Sequence, residues 1–156
     1  MSTALLPADR QEPAGYVLVV AHDVFLRKLV RRQIEEMGLE VQEALSVERG
    51  LGRVRAAVPC LVLLDPWVDN GLGLGFLEAV RTQRPGLPVM LVGAEPRGEL
   101  KRRGLAMGAL GHVPIEGLAS IARWVEAALD GEDEGRAARA FAALRPAAPR
   151  EPAPST

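Results

Sequence analysis

The most constraining feature of this chain is an alternation. Short, fully apolar runs of four or five residues recur, and each is followed by a stretch with helical spacing. Tyr16-Val17-Leu18-Val19-Val20 is the first run, β-branched and apolar at every position, as in a strand buried on both faces. Asp23 can cap the next helix, whose apolar positions Leu26, Leu29, Val30, Ile34 and Met37 fall on one side, and Gly38 stops it. Leu39 to Ala44 reads as a second, more polar strand at a sheet edge. Ser46 suits the N-cap of a helix carrying Val47, Leu51, Val54 and Val58. Cys60 to Leu64 is a third apolar strand ending at Asp65, and Pro66 to Gly73 is a turn-rich loop around Asp69-Asn70-Gly71. The spacing predicts a helix over Leu74 to Arg84, a fourth strand over Pro88 to Val92, and a weak helix over Glu99 to Met107 interrupted by Gly104. A short fifth strand over Leu110 to Val113 comes next, then a last helix with Leu118, Ile121, Ala122, Val125 and Leu129 on its apolar stripe.

Five strands alternating with five helices imply an α/β fold with a parallel sheet covered on both faces. Right-handed crossovers leave few topologies, of which the flavodoxin-like doubly wound order 2-1-3-4-5 fits best. The functional crevice of such a fold lies at the carboxyl ends of the strands. Attention therefore falls on Ala21-His22-Asp23, on Asp65, on Gly93-Ala94-Glu95, and on Pro114-Ile115-Glu116.

Composition narrows the chemistry. The chain has 156 residues, enough for one domain, and a formal net charge of −1. That balance argues against a nucleic-acid binder working through bulk charge. Cys60 is the only cysteine, which excludes a disulfide or a cysteine-based metal cluster and reads as an inert thiol in an apolar setting. No run approaches the ~20 apolar residues of a membrane span, and no secretory layout opens the chain, so a cytoplasmic protein is expected. Lysine occurs only at Lys28 and Lys101, and histidine only at His22 and His112. Residues 1–15 read as a flexible lead, 16–130 as the domain, and 131–156, with eight alanines and four prolines, as a partly helical or disordered tail.

The run Leu61-Val62-Leu63-Leu64-Asp65, with Gly73 eight residues on and Leu74, Phe76 and Leu77 beyond, resembles the phosphoacceptor segment of bacterial response-regulator receiver domains. Val17 to Val20, Arg27, Pro88-Val89 and Gly108-Ala109 match further receiver features in order and spacing, over roughly Tyr16 to Leu129. The resemblance implies that a histidine kinase transfers a phosphoryl group to Asp65. It further implies a Mg²⁺ ion held by that Asp, by acidic residues after the first strand and by a backbone carbonyl matched by that of Trp67. A hydroxyl after the fourth strand and a Lys after the fifth would bind the phosphoryl oxygens, because such transfer is catalysed mainly by positioning and charge stabilisation.

Around Asp65 the pattern is broken. Ala21 and His22 match the acidic pair, Asp23 comes one residue late, Gly93 matches the hydroxyl residue, Ile115 the lysine and Glu116 the proline after it. A slip in the matching repairs nothing, since no Ser or Thr lies between Thr82 and Ser120 and no Lys lies beyond Lys101. The expectation is no cofactor, with Mg²⁺ bound weakly at best by Asp65, Asp23 and the Trp67 carbonyl. His22 reads either as a neutral side chain after a strand or, protonated, as a partner of Asp65. His112 matches the aromatic that swings between buried and exposed rotamers in active receivers. Trp124 reads equally as an exposed interface anchor or as a cap on the core edge. Arg97, Lys101, Arg102 and Arg103 form a basic cluster beside that face.

Three functions fit. The first is an atypical receiver that signals by protein contacts, with a histidine kinase or downstream effector as partner and no ordinary phosphorylation cycle. In the second, Asp65 still accepts phosphate from a kinase that supplies the missing groups. The third is a small nucleotide- or ligand-binding protein on the same fold. It is disfavoured because Ala21-His22-Asp23-Val24 has no glycine to cradle a pyrophosphate, and Gly71-Leu72-Gly73-Leu74-Gly75 lacks P-loop spacing and its Lys. With about 26 residues after the receiver-like part, no DNA-binding domain and no membrane insertion are expected. Output then comes from a partner, from homodimerisation or from the tail.

Overall fold

The computed structural model describes residues 15–94 and 98–130. Its elements run β1 (Tyr16–Val20), α1 (Val24–Glu36), β2 (Glu40–Ala44), α2 (Val47–Ala56), β3 (Leu61–Leu64), α3 (Leu74–Gln83), β4 (Val89–Val92), α4 (Glu99–Ala106), β5 (His112–Val113) and α5 (Ile121–Asp130). The five strands form one parallel sheet in the order β2-β1-β3-β4-β5, the doubly wound arrangement that the alternation implied.

Strand periodicity divides the core into two layers. Tyr16, Leu18 and Val20 join Val62, Leu64, Val89 and Leu91 under α2, α3 and α4. Val17 and Val19 join Leu61, Leu63, Met90 and Val92 under α1 and α5. Successive side chains on a strand point to opposite faces, so a strand covered on both sides must be apolar throughout. β2 is the polar exception and lies at the sheet edge, as expected.

Helix starts are set by the capping residues. Asp23 Oδ1 accepts from the backbone N–H groups of Phe25 (2.8 Å) and Leu26 (3.2 Å). Ser46 Oγ accepts from Arg49 N at 3.1 Å. Gly38 ends α1 at φ 84°, a left-handed conformation that glycine adopts without steric penalty. Cys60 is half-buried; its Sγ bonds the Tyr16 carbonyl at 3.1 Å, and burial pushes the thiol pKa up, consistent with an inert thiol.

Several sequence expectations need correction. Val58 is buried but lies beyond the end of α2. Gly104 does not interrupt α4. A Cβ there would stand 2.6 Å from Leu91 Cδ1, so the glycine is what lets α4 approach the sheet. β5 shrinks to two residues before Pro114. Leu118 belongs to a 3₁₀ segment, Ile115–Ser120, not to the last helix. Three residues per turn in that segment shift the phase of the helix after it, and the buried face of α5 becomes Ile121, Trp124, Val125 and Ala128. Trp124 is therefore not an exposed anchor: at 4% exposure it is core. The expected lead and tail, like Arg97, lie outside the described residues.

Candidate functional site

The carboxyl ends of β1, β3, β4 and β5 meet around Asp65. Its backbone continues the sheet, with Asp65 N–H donating to the Val20 carbonyl at 2.9 Å, so the half-buried carboxylate is presented from a fixed position. Asp65 Oδ1 accepts from the backbone N–H of Trp67 at 2.9 Å. Gly93 stands across from it: a Cβ built there would lie 3.5 Å from the Asp65 carboxyl carbon and 3.4 Å from Leu26 Cδ1. Gly93 has φ 106°, a backbone conformation that residues with side chains rarely adopt. It is pinned on both sides, by its N–H to the Val113 carbonyl (3.0 Å) and by its carbonyl to His112 Nε2 (2.8 Å).

The other residues singled out from the sequence divide clearly. Ala21 is fully buried and offers the crevice no polar side-chain atom. Asp23 is at the crevice edge, but its Oδ1 is engaged by the first turn of α1. The Trp67 carbonyl already accepts from Gly71 N at 3.1 Å. Ile115 is 57% exposed. His22 is exposed and lines a cavity of about 230 Å³ with Leu45, Trp67, Asp69 and Asn70. His112 departs from the expected swinging aromatic. It is buried, and since a carbonyl only accepts, its Nε2 must carry the proton that binds Gly93. Lys101 is half-buried and Arg102 and Arg103 are exposed on α4. Among the described residues, no group of three or more His, Cys, Asp or Glu side chains is placed to hold a metal ion.

Two features are not legible in the sequence. Asp69 reads there only as part of a turn, yet it caps α2 from a distance, its Oδ2 accepting from Val47 N at 2.9 Å. Asp69 and the adjacent Asn70 are both left-handed, at φ 54° and 58°; the Asp-Asn-Gly run is the available signal, because Asx residues tolerate that region best. The second is an apolar rim. The large hydrophobic side chains exposed among the described residues are Val24, Phe25, Leu29, Leu45, Trp67, Leu72 and Ile115. Every one belongs to a connection or first helical turns just after a strand, at the same end of the sheet as Asp65. Phe25 is 80% exposed, on the opposite side of α1 from Leu26, Val30 and Ile34.

Comparison with known proteins agrees with this geometry. The family model described as the response regulator receiver domain matches residues 17–114. The chain is 31% identical over 93 residues to the KDP operon transcriptional regulatory protein KdpE of Escherichia coli, covering 60% of this chain and 41% of that one. It therefore spans about two-fifths of the length of the curated relatives it matches. The crystal structure of the receiver domain of NtrX from Brucella abortus superposes with a TM-score of 0.67 at 28% identity, covering 73% of this chain and 98% of that one. The chemotaxis response regulator CheY4 of Vibrio cholerae gives a TM-score of 0.60 at 26% identity, covering 69% of this chain and 94% of that one.

Proposed function

This chain belongs to the response regulator receiver domain family, and from that premise we propose that it is a cytoplasmic signalling module that works by protein contact at the rim of the Asp65 crevice, without an ordinary phosphorylation cycle. Receiver domains are signalling modules of two-component systems, which makes a histidine kinase or a downstream effector the expected class of partner. The observation that carries the reading is the surroundings of Asp65. Catalysed phosphoryl transfer needs cations and donors fixed around the transferring oxygens. Here the position across from the carboxylate is a left-handed glycine, and Ile115 stands where the family's lysine would.

Mg²⁺ does not fit this donor set. The ion prefers six oxygens in near-octahedral geometry. Ala21 brings no side-chain oxygen, one Asp23 oxygen, Oδ1, is held by the first turn of α1, and among the described residues no group of three or more His, Cys, Asp or Glu side chains is placed to hold the ion. No step is therefore routed through a metal. The apolar rim supports the contact half of the proposal. Exposed apolar surface concentrated in one place marks an interaction site more often than scattered hydrophobics do. A partner protein is the cover proposed for this rim.

Trp67 makes the metal question measurable. It is 45% exposed and its backbone bonds Asp65 directly, whereas Trp124, the other tryptophan, is buried. Titrating the protein with millimolar Mg²⁺ is expected to leave tryptophan emission without a saturable change. A saturable change that disappears in Asp65→Asn would establish a working metal site and remove this reading. The second reading, a kinase-dependent phosphoacceptor, draws on one observation: Asp65 is present and rigidly held at the end of β3. It requires the partner to bring the missing charge into the crevice.

A further inference from the structure

We propose that the small cavity walled by Trp67 and Asp69 receives an arginine side chain of the partner protein, with its guanidinium stacked on Trp67 and paired with Asp69. The inference rests on the reading of this end of the sheet as a protein-contact rim, and it names the chemistry that the contact requires. The cavity measures about 230 Å³ and is lined by His22, Leu45, Trp67, Asp69 and Asn70. Pockets for drug-sized ligands begin at about 300 Å³, so this one suits a single side chain.

Its walls match a planar cation. Trp67 is 45% exposed, and Gly71 backs its six-membered ring, where a Cβ would stand 3.4 Å from Cε3 and Cζ3. The backbone N–H of Trp67 donates to Asp65 Oδ1, so the ring is offered from a fixed loop. An indole face attracts a cation through its quadrupole, and a guanidinium also stacks flat on it. Asp69 supplies the counter-charge. Its Oδ2 accepts from Val47 N at 2.9 Å, which holds the carboxylate in place, while its Oδ1 accepts nothing among the described residues. Asn70 adds an amide oxygen as a further acceptor on the same wall. Both residues have left-handed backbone, a conformation kept where the surroundings over-determine it. Leu45 offers apolar surface to the aliphatic stem of the arginine.

The sign of the surroundings selects a cation. Residues 22–28, 43–49 and 65–72 are the strand ends and first turns around the cavity. They carry the carboxylates Asp23, Glu43, Glu48, Asp65 and Asp69 against the cations Arg27, Lys28 and Arg49. Arg27 is paired with Glu43 at 3.5 Å, and Arg27 and Arg49 line the neighbouring groove, not this cavity. Lys28 lines the outer groove of α1 beside Glu35 and Glu36, and Arg31, one turn on, is paired with Glu35 and Glu43. The N-termini of α1 and α2 would favour an anion, but Asp23 already caps the first and Ser46 and Asp69 the second. The cation that completes the cavity therefore comes from outside.

The test is an NMR titration of the isotopically labelled full chain with the capped tripeptide acetyl-Leu-Arg-Leu-amide at low salt. Saturable shifts are expected at the backbone amides of Trp67, Asp69 and Asn70 and at the Trp67 indole N–H. Citrulline in place of the peptide's arginine keeps the shape and removes the charge, and is expected to weaken binding about tenfold. Asp69→Asn retains an oxygen for Val47 N–H and a residue type that tolerates left-handed backbone, so it removes the charge and leaves the loop. Binding about threefold weaker is expected for it, and also for Trp67→Leu, which removes the indole face. Equal binding of the arginine and citrulline peptides to the wild type would overturn the proposal. So would the absence of saturable shifts at this loop. Self-association of the chain that the arginine peptide reverses would give the cavity to a second copy and overturn the assignment to a different protein. Failure of the peptide titration leaves the protein-contact reading intact, whereas phosphorylation of Asp65 by acetyl phosphate would remove that reading, so the two are told apart.

Discussion

Replacing Trp124 by alanine is expected to lower the unfolding free energy by about 3–5 kcal/mol, the range for removing a large buried aromatic. For a domain of this size that is a fall in melting temperature on the order of 10–20 °C. The indole is 4% exposed and shares its buried cluster with Met90, Val92, Val113, Ile121 and Val125, in the layer where α5 and α1 cover the sheet. Its loss leaves a cavity that no neighbour on a strand can move to fill, and the lost contacts and the void both count against the fold. Thermal or urea unfolding followed by circular dichroism checks this. A variant that melts with the wild type would mean that the side chain is on the surface. The same experiment separates stability from recognition: any partner lost by this variant at physiological temperature is lost through unfolding.

Gly73→Ala is expected to cost about 3 kcal/mol, the upper part of the usual range for overpacking. The reason lies in what the new methyl would meet. A Cβ on Gly73 would stand 2.8 Å from the Asp65 carbonyl oxygen, the Pro66 Cα and the Pro66 carbonyl oxygen. All three are backbone atoms, so no rotamer change relieves the contact. The Pro66 carbonyl also accepts from Gly73 N at 3.1 Å, a bond that closes the loop between β3 and α3. The loop must open or α3 must withdraw, and either displaces the Asp65–Trp67 hydrogen bond. A reduced unfolding midpoint with altered Trp67 emission is the expected result. Wild-type stability would show that the loop has slack. Gly73→Ala therefore tests why a glycine stands eight residues after the carboxylate: the chain passes too close to itself there for a side chain.

Strand positions are the most legible part of this fold because burial on both faces leaves a run that is apolar at every residue. β1 and β3 can be read that way, and the polarity of β2 places it at the edge. Helix starts are legible where a side chain supplies the cap, as at Asp23 and Ser46. The features that sequence reasoning misses depend on three-dimensional neighbours. Gly104 looks like a break because propensity counts only the helix itself, whereas the glycine serves the contact with Leu91. Trp124 is ambiguous in sequence because the 3₁₀ segment before α5 changes the phase of the stripe. The reach of Asp69 to Val47 spans 22 residues in sequence and leaves no local trace. Within the site, Asp65 and the residues around it are readable as identities. The cap that engages Asp23 is readable too, but the bond that Trp67 donates to Asp65 and the one its carbonyl accepts from Gly71 are not, since they arise from backbone geometry.

The most direct measurement of the central claim is covalent. The full chain is incubated with Mg²⁺ and excess acetyl phosphate, and its intact mass is tracked beside that of Asp65→Asn. Lacking a hydroxyl across from the carboxylate and an ammonium at the position of Ile115, the protein is expected to stay at its unmodified mass in both forms. Stoichiometric addition of one phosphoryl group to the wild type, absent from Asp65→Asn, would contradict the account and restore Asp65 as a working phosphoacceptor.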